Sequence, residues 1–256
     1  MTIDRCYRTS AFYRRRLDAA GYAQCTDPRA LLARLPTLSK DELQEHLDEI
    51  TSPEGWTSVW PTSGTSGKPG RIFKSRLDRA REIALQRRYY DQLGIAPGTR
   101  EIRLWRVPTP ARKNRRSFLK YRVSEAFWGI ERFSPLDGLS VATLETITKR
   151  LASGGDTILR GYGNAIYFVA RYLLRTRGEA GDTAAFPRLK LVVPTGEVTF
   201  PAQIDTIRRA FGVPVLQEYS ATEAGFIAFE CPCGRMHIQE DHVLIEIMED
   251  GRPVAE

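Results

Sequence analysis

The sequence predicts an α/β fold, mostly parallel sheets flanked by helices, and three observations carry that prediction. Leu189-Lys190-Leu191-Val192-Val193 is strand-like, residues 201–211 form an apolar-periodic helix opened by Pro201, and Val213-Pro214-Val215-Leu216-Gln217 is strand-like again. Strand, helix and strand in that order form a right-handed crossover, so the strands run parallel. Two polar clusters, Thr195-Gly196-Glu197 and Glu218-Tyr219-Ser220-Ala221-Thr222-Glu223, follow these strands, where ligands of open parallel sheets gather. Finally, Thr62-Ser63-Gly64-Thr65-Ser66-Gly67-Lys68-Pro69-Gly70 combines hydroxyls, glycines and one cation in a single stretch. Glycine lets backbone N–H groups converge on oxygen atoms, so this composition suits a phosphate-holding loop.

Taken in order, residues 9–47 have helical periodicity. Phe12, Tyr13 and Leu17 mark one stripe and Leu31, Leu32 and Leu35 another, and Ser39 with Glu42 offers a capping box. Three short helices are expected there, within an amino-terminal helical region of residues 1–55. A nucleotide-binding α/β domain is expected over 56–256. Arg71-Ile72-Phe73-Lys74 alternates like a strand, so 56–74 reads as strand, mobile loop, strand. A helix follows over 77–93, stopped by Gly94 and Pro97. Ile102-Arg103-Leu104-Trp105-Arg106-Val107 alternates apolar and charged residues like a half-exposed strand. Residues 140–151 and 164–174 read as amphipathic helices around a buried strand at Thr157-Ile158-Leu159. No internal repeat is evident.

Composition narrows the class. At 256 residues and 42% hydrophobic content the chain can bury a large core. No apolar run approaches bilayer length and the first residues lack a signal-peptide core, which makes a cytoplasmic location without membrane partners the expectation. A net charge of +7 suits an anionic partner: a nucleotide, a CoA-like carrier or nucleic acid. The cation-dense stretch 112–122, with Phe118 and Tyr121 inside it, is the place to look for nucleic-acid binding. A solvated loop and helix face is the commoner outcome of such a run.

Two motifs need separate treatment. The 62–70 stretch is not the familiar nucleotide loop, because Pro69 stands where a Ser or Thr should open a helix; the alternative is a plain Gly/Ser linker. Four cysteines do not form a disulfide framework in a chain this size. Cys231, Cys233 and His237, with His242 nearby, offer thiolates and imidazole at zinc-compatible spacing, although a closed site needs four ligands. A tight turn with reduced thiols is the alternative.

Together, residues 62–69, Gly196-Glu197 and Tyr219-Ser220-Ala221-Thr222-Glu223 resemble, in order and spacing, the signatures of the adenylate-forming superfamily of acyl-CoA synthetases. Within it the chain looks most like the phenylacetate-CoA ligase branch, including relatives encoded with capsule genes. Ser10-Ala11-Phe12-Tyr13, Leu35-Pro36-Thr37-Leu38-Ser39-Lys40-Asp41, Gly161-Tyr162-Gly163-Asn164-Ala165 and His237-Ile238-Gln239-Glu240-Asp241-His242 carry that likeness; residues 100–137 match weakly.

The resemblance implies activation of a small carboxylic acid by ATP as an acyl-adenylate, then thioester formation with CoA. The loop residues Thr62, Ser63, Gly64, Thr65, Ser66, Gly67 and Lys68 would close on the β and γ phosphates. Thr222 would contact the α-phosphate and Glu223 would hold Mg²⁺, an oxygen ligand for a hard cation. Tyr219 would lie against adenine, Gly196 and Glu197 would border it through the backbone, and Ser220 belongs to the same nucleotide-binding set. A core tyrosine and a helix-capping carboxylate are the ordinary alternatives for Tyr219 and Glu197. Lys68, Thr222 and Glu223 are the expected catalytic residues. Relatives continue past the counterpart of Glu256 with a ribose-binding aspartate and a small domain carrying a catalytic lysine. From this the chain reads as an incomplete large domain, impaired alone, that either pairs with a separate carboxy-terminal domain or dimerises through exposed strand edges. A non-catalytic nucleotide-binding module is the competing reading.

Overall fold

The computed structural model describes residues 2–50, 56–61, 71–106, 115–136, 138–178, 185–249 and 252–254. Two compact units emerge: Met1–Ala84 with Leu244–Glu256, and Leu85–Val243.

The first unit begins with five helices, α1 (Thr2–Thr9), α2 (Ala11–Ala19), α3 (Pro28–Leu32), α4 (Lys40–Glu45) and α5 (Leu47–Ile50). There are more breaks than the three expected, because capping side chains restart the chain. Ser10 Oγ accepts from Tyr13 N at 3.3 Å and donates to Glu49 O at 2.9 Å, ending α1, opening α2 and joining it to α5. Asp27 caps α3 and Ser39 caps α4. The antiparallel hairpin of β1 (Trp56–Pro61) and β2 (Arg71–Ser75) flanks 62–70 as expected. Gln44 on α4 accepts from Arg71 N at 2.7 Å and donates back to Arg71 O at 3.3 Å, anchoring the start of β2. α6 (Arg76–Gln92) opens with a reciprocal cap: Ser75 N donates to Asp78 at 2.9 Å, and Asp78 N to Ser75 Oγ at 3.1 Å. The division between the units falls inside α6.

The second unit is built on a four-stranded parallel sheet in the order β4 (Ile130–Phe133), β3 (Arg100–Leu104), β5 (Thr157–Tyr162), β6 (Leu189–Thr195). Strand alternation sorts its side chains onto two faces. Ile102, Leu104, Leu159 and Val192 meet α8 (Val141–Ala152), α9 (Gly163–Arg177) and α10 (Pro201–Phe211) through Leu144, Ile147, Leu151, Ile166, Val169, Ile207 and Phe211. Ile158, Leu191 and Val193 point the other way and pack with Tyr89, Tyr90, Leu216 and Phe229. α7 (Arg115–Phe127) carries part of the cation-dense stretch.

A three-stranded antiparallel sheet, β7 (Glu218–Ala221), β8 (Gly225–Glu230), β9 (Met236–Ile238), follows, and a short ladder of β10 (Met248–Glu249) and β11 (Arg252–Pro253) belongs to the first unit. The strand expected at 213–217 is reduced to one parallel bridge, Val192 to Val215. Pro214 supplies its carbonyl to Val192 N but has no N–H of its own to extend the ladder. Glu218 therefore begins a new strand instead of a loop after one.

Candidate functional site

The carboxyl edge of the parallel sheet brings both predicted polar clusters together. Thr195, the last residue of β6, is fully buried and donates its hydroxyl to Glu218 Oε1 at 2.8 Å. Ser220 on β7 donates to the same oxygen at 3.1 Å and lies 3.5 Å from the Thr195 hydroxyl. One carboxylate thus joins the end of β6 to β7.

Glu218 is held by a group that sequence reasoning missed. Arg160 of β5 grips it bidentately at 2.7 and 3.0 Å. Arg160 also lies 3.7 Å from Glu101, which is paired bidentately with Arg103 at 2.6 and 2.8 Å. Register places Arg132, Arg103 and Arg160 side by side across β4, β3 and β5. Each has its own carboxylate, Glu125, Glu101 and Glu218 respectively. The charged face of β3 is therefore covered, correcting the half-exposed reading: the Glu101 side chain is 9% exposed and that of Glu218 1%. Burial works against the charges, but Arg103 and then Arg160 hold the Glu101 carboxyl below its ordinary range. Burial likewise opposes the charge on Arg160, and Glu218 and Glu101 outweigh it, keeping Arg160 protonated beyond its usual range. Buried Tyr90 is pushed well up, by burial first and by Glu101 next. In sequence, Glu101, Arg103 and Arg160 alternate with apolar residues on two strands, a pattern that does not distinguish a face covered by counterions from one covered by water.

Gly196 follows Thr195 with φ +78, and a Cβ there would come within 3.1 Å of both Trp105 and Tyr162. Those rings stack at 4.3 Å with an 11° interplanar angle, beyond the ends of β3 and at the end of β5. Only glycine takes this φ readily while leaving room for the aromatic pair. Glu197 accepts from Asn164 N at 2.6 Å in the first turn of α9, so it caps that helix. Gln203 reinforces the junction by donating to Asn164 Oδ1 at 2.8 Å.

Tyr219 is 59% exposed and is not a core tyrosine. Thr222, half-buried, and Glu223, exposed, occupy the turn joining β7 to β8, with Gly225 at φ +74 just after it. His242 Nε2 lies 3.0 Å from Ala224 O, bracing the turn. The neighbouring segment is fixed by Arg88, which binds Asp241 at 2.6 Å and Gln239 at 2.6 Å. The loop residues Thr62, Ser63, Gly64, Thr65, Ser66, Gly67 and Lys68 lie outside the described residues.

At the far end of β8, Cys231, Cys233 and His237 present their ligand atoms within 4.8 Å of one another. Hydrogen bonding from Cys233, helped by the Arg235 backbone and His237, lowers the Cys231 thiol to about 6, while Cys233 is raised. Among the described residues no helix is long and apolar enough to cross a membrane.

In fold the chain is similar to solved acyl-CoA ligases. Crystal structures of 2-hydroxyisobutyryl-CoA ligase match 99% of this chain. The open conformation with 2-HIB-AMP and CoA gives a TM-score of 0.71 over 61% of that chain, and the thioesterification state gives 0.72 over 55%, both at 18% identity. Among curated proteins, Protein CapK of Staphylococcus aureus is 24% identical over 218 residues, covering 82% of this chain and 45% of CapK. The chain thus spans less than two thirds of the length of each of these relatives. No protein-family model matches it.

Proposed function

We propose that this chain carries the nucleotide-facing part of an enzyme that activates a carboxylic acid with ATP as an acyl-adenylate and passes it to CoA, with phenylacetate-like acids as the substrate class. One observation carries this reading. At the carboxyl edge of a parallel sheet, where nucleotides bind α/β folds, Thr195-Gly196-Glu197 and Glu218–Glu223 are knit together through a single buried carboxylate.

The residues suit the parts assigned to them. Tyr219 offers a largely exposed ring, available to stack on a base. The Thr222 hydroxyl and the exposed Glu223 carboxylate share one tight turn, which suits contact with a phosphate and with a cation beside it. Glu223 presents oxygen, the donor that Mg²⁺ requires. When bound, Mg²⁺ would neutralise phosphate charge. The chain's own contribution is positioning: phosphoryl chemistry gains most from fixed geometry and preset electrostatics. The buried ion row makes β7 a firm base for that turn.

Calorimetric titration with MgATP and MgGTP tests the proposal. Saturable ATP binding that discriminates against GTP, weakened about tenfold or more by Glu223→Gln, supports it. Equal response to both nucleotides, or ATP affinity unchanged in Glu223→Gln and Thr222→Ala, overturns it.

A further inference from the structure

We propose that Cys231, Cys233 and His237 bind one Zn²⁺ that clips the tip of the β8–β9 hairpin, a structural metal site separate from the nucleotide edge. The three donor atoms already lie within 4.8 Å of one another. In a tetrahedral zinc site, bonds of about 2.3 Å to sulfur and about 2.0 Å to nitrogen set donor-to-donor edges of about 3.5–3.8 Å. The gap left to close is about 1 Å between any two donors.

The hairpin is built to keep them there. Cys231 N donates to Arg235 O at 2.8 Å and Gly234 N to Cys231 O at 2.9 Å, so the tip folds back on itself around Cys233. Gly234, at φ +79, takes the left-handed turn that returns the chain. In the β8–β9 register Phe229 faces His237, and Cys231 is two residues on from Phe229. Cys231 and His237 are therefore diagonal neighbours across the ladder. Behind them the strand is fixed: buried Tyr89 donates its hydroxyl to Glu230 O at 2.8 Å, and Gln217 N donates to Glu230 Oε2 at 2.7 Å.

Donor chemistry selects the ion. Two thiolates and an imidazole favour a soft or borderline cation and exclude Mg²⁺ as the natural occupant. Cys233 and His237 are both exposed, which leaves the fourth coordination position to water or to a donor outside the described residues. Place separates the site from phosphate chemistry. β8 runs six residues from the Thr222–Ala224 turn to the cysteines, putting the site roughly 20 Å away along the strand. The metal fastens a sheet whose opposite end carries the nucleotide-facing turn.

The test is elemental analysis of the chain produced with zinc in the medium and purified without chelator. About one zinc per chain is expected, with Cys231→Ser, Cys233→Ser and His237→Gln each losing it while Glu223→Gln retains it. Cobalt substitution of the reduced protein should give tetrahedral d–d absorption and thiolate charge transfer, both lost in Cys231→Ser. Chelation should lower the melting temperature of the parent chain and leave that of Cys233→Ser unmoved. No zinc uptake after full reduction overturns the proposal, as does metal retained by the cysteine variants. So does a Cys231–Cys233 disulfide in fresh protein that takes up no metal once reduced. Each readout is independent of nucleotide binding, so the site can fail while the ligase reading stands, and the reverse.

Discussion

The parallel sheet and the antiparallel sheet of the second unit use the same kinds of residue to opposite ends. Across β3, β4 and β5, Arg103, Arg132 and Arg160 are largely buried, each matched to a carboxylate: Glu101 on β3, Glu125 on α7 and Glu218 on β7. Along β7–β9 and their connecting turns, Tyr219, Glu223, Cys233 and His237 are all exposed. A buried ion pair gains little net stability over apolar packing but makes removal of one partner costly, which fixes a structure more than it strengthens it. An exposed polar turn gives up fixity and gains access to a ligand. Glu218 joins the two arrangements: its carboxylate lies in the buried row, and its backbone begins the strand that leads into the turn of Thr222 and Glu223.

The comparison breaks most sharply at Glu218. Glu218→Leu leaves Arg160 buried with its main partner gone and should cost about 3–5 kcal/mol in urea unfolding. Adding Arg160→Met removes the orphaned charge and should recover most of that loss. If the double variant is as unstable as the single one, the row is not a charge-balanced unit. Next comes acid. Because Glu101 has a folded pKa below its ordinary value of 4.5, its contribution is present in full above that value and is lost as pH falls through the folded pKa. The parent chain should therefore lose stability steeply below about pH 4.5, with Glu101→Gln already less stable at pH 7 and flatter in that window. Equal slopes for the two proteins would remove Glu101 from the account. Smaller still is Thr195→Val, which deletes one buried hydrogen bond to Glu218 and should cost about 1–2 kcal/mol. A loss of MgATP affinity beyond that from Thr195→Val would show that the β6–β7 junction shapes the nucleotide edge.

How much of this was legible depended on whether the deciding physics was local. α10 was readable to the residue, because Pro201 preorganises its first turn and Gly212, at φ +63, ends it. β6 and β5 were readable from apolar runs that only a two-faced sheet can bury. The hairpin around 62–70 was readable from alternation at Arg71–Lys74, and β2 runs one residue further, to Ser75. Glu101 and Arg103 were not, since a charged face covered by its counterions has the same alternation as one covered by water. The strand at 213–217 failed on Pro214, whose missing N–H mattered only once Val192 became its neighbour. At the site, sequence placed Gly196 and Thr222 in polar clusters following strands, and the structure brought the two clusters together through Glu218. Glu197 makes the helix cap that sequence offered as its ordinary alternative, bonding through its side chain to the first turn of α9.

The smallest effect belongs to Arg88, and it sharpens the contrast because its geometry is as good as that of Arg160. Arg88 also reaches a carboxylate with two nitrogens, at 2.6 and 3.0 Å from Asp241. The difference is water: the two side chains are 45% and 59% exposed, against 13% and 1% for Arg160 and Glu218. Solvent screens the attraction and hydrates either partner when the other is removed, so Arg88→Ala should cost no more than about 1 kcal/mol. The residual effect should shrink further in high salt, whereas that of Glu218→Leu should hardly change. Comparable losses for the two variants would mean that the segment from Gln239 to His242 depends on Arg88 for its fold. The brace that His242 gives the Thr222–Ala224 turn would then rest on a surface ion pair instead of on the buried row.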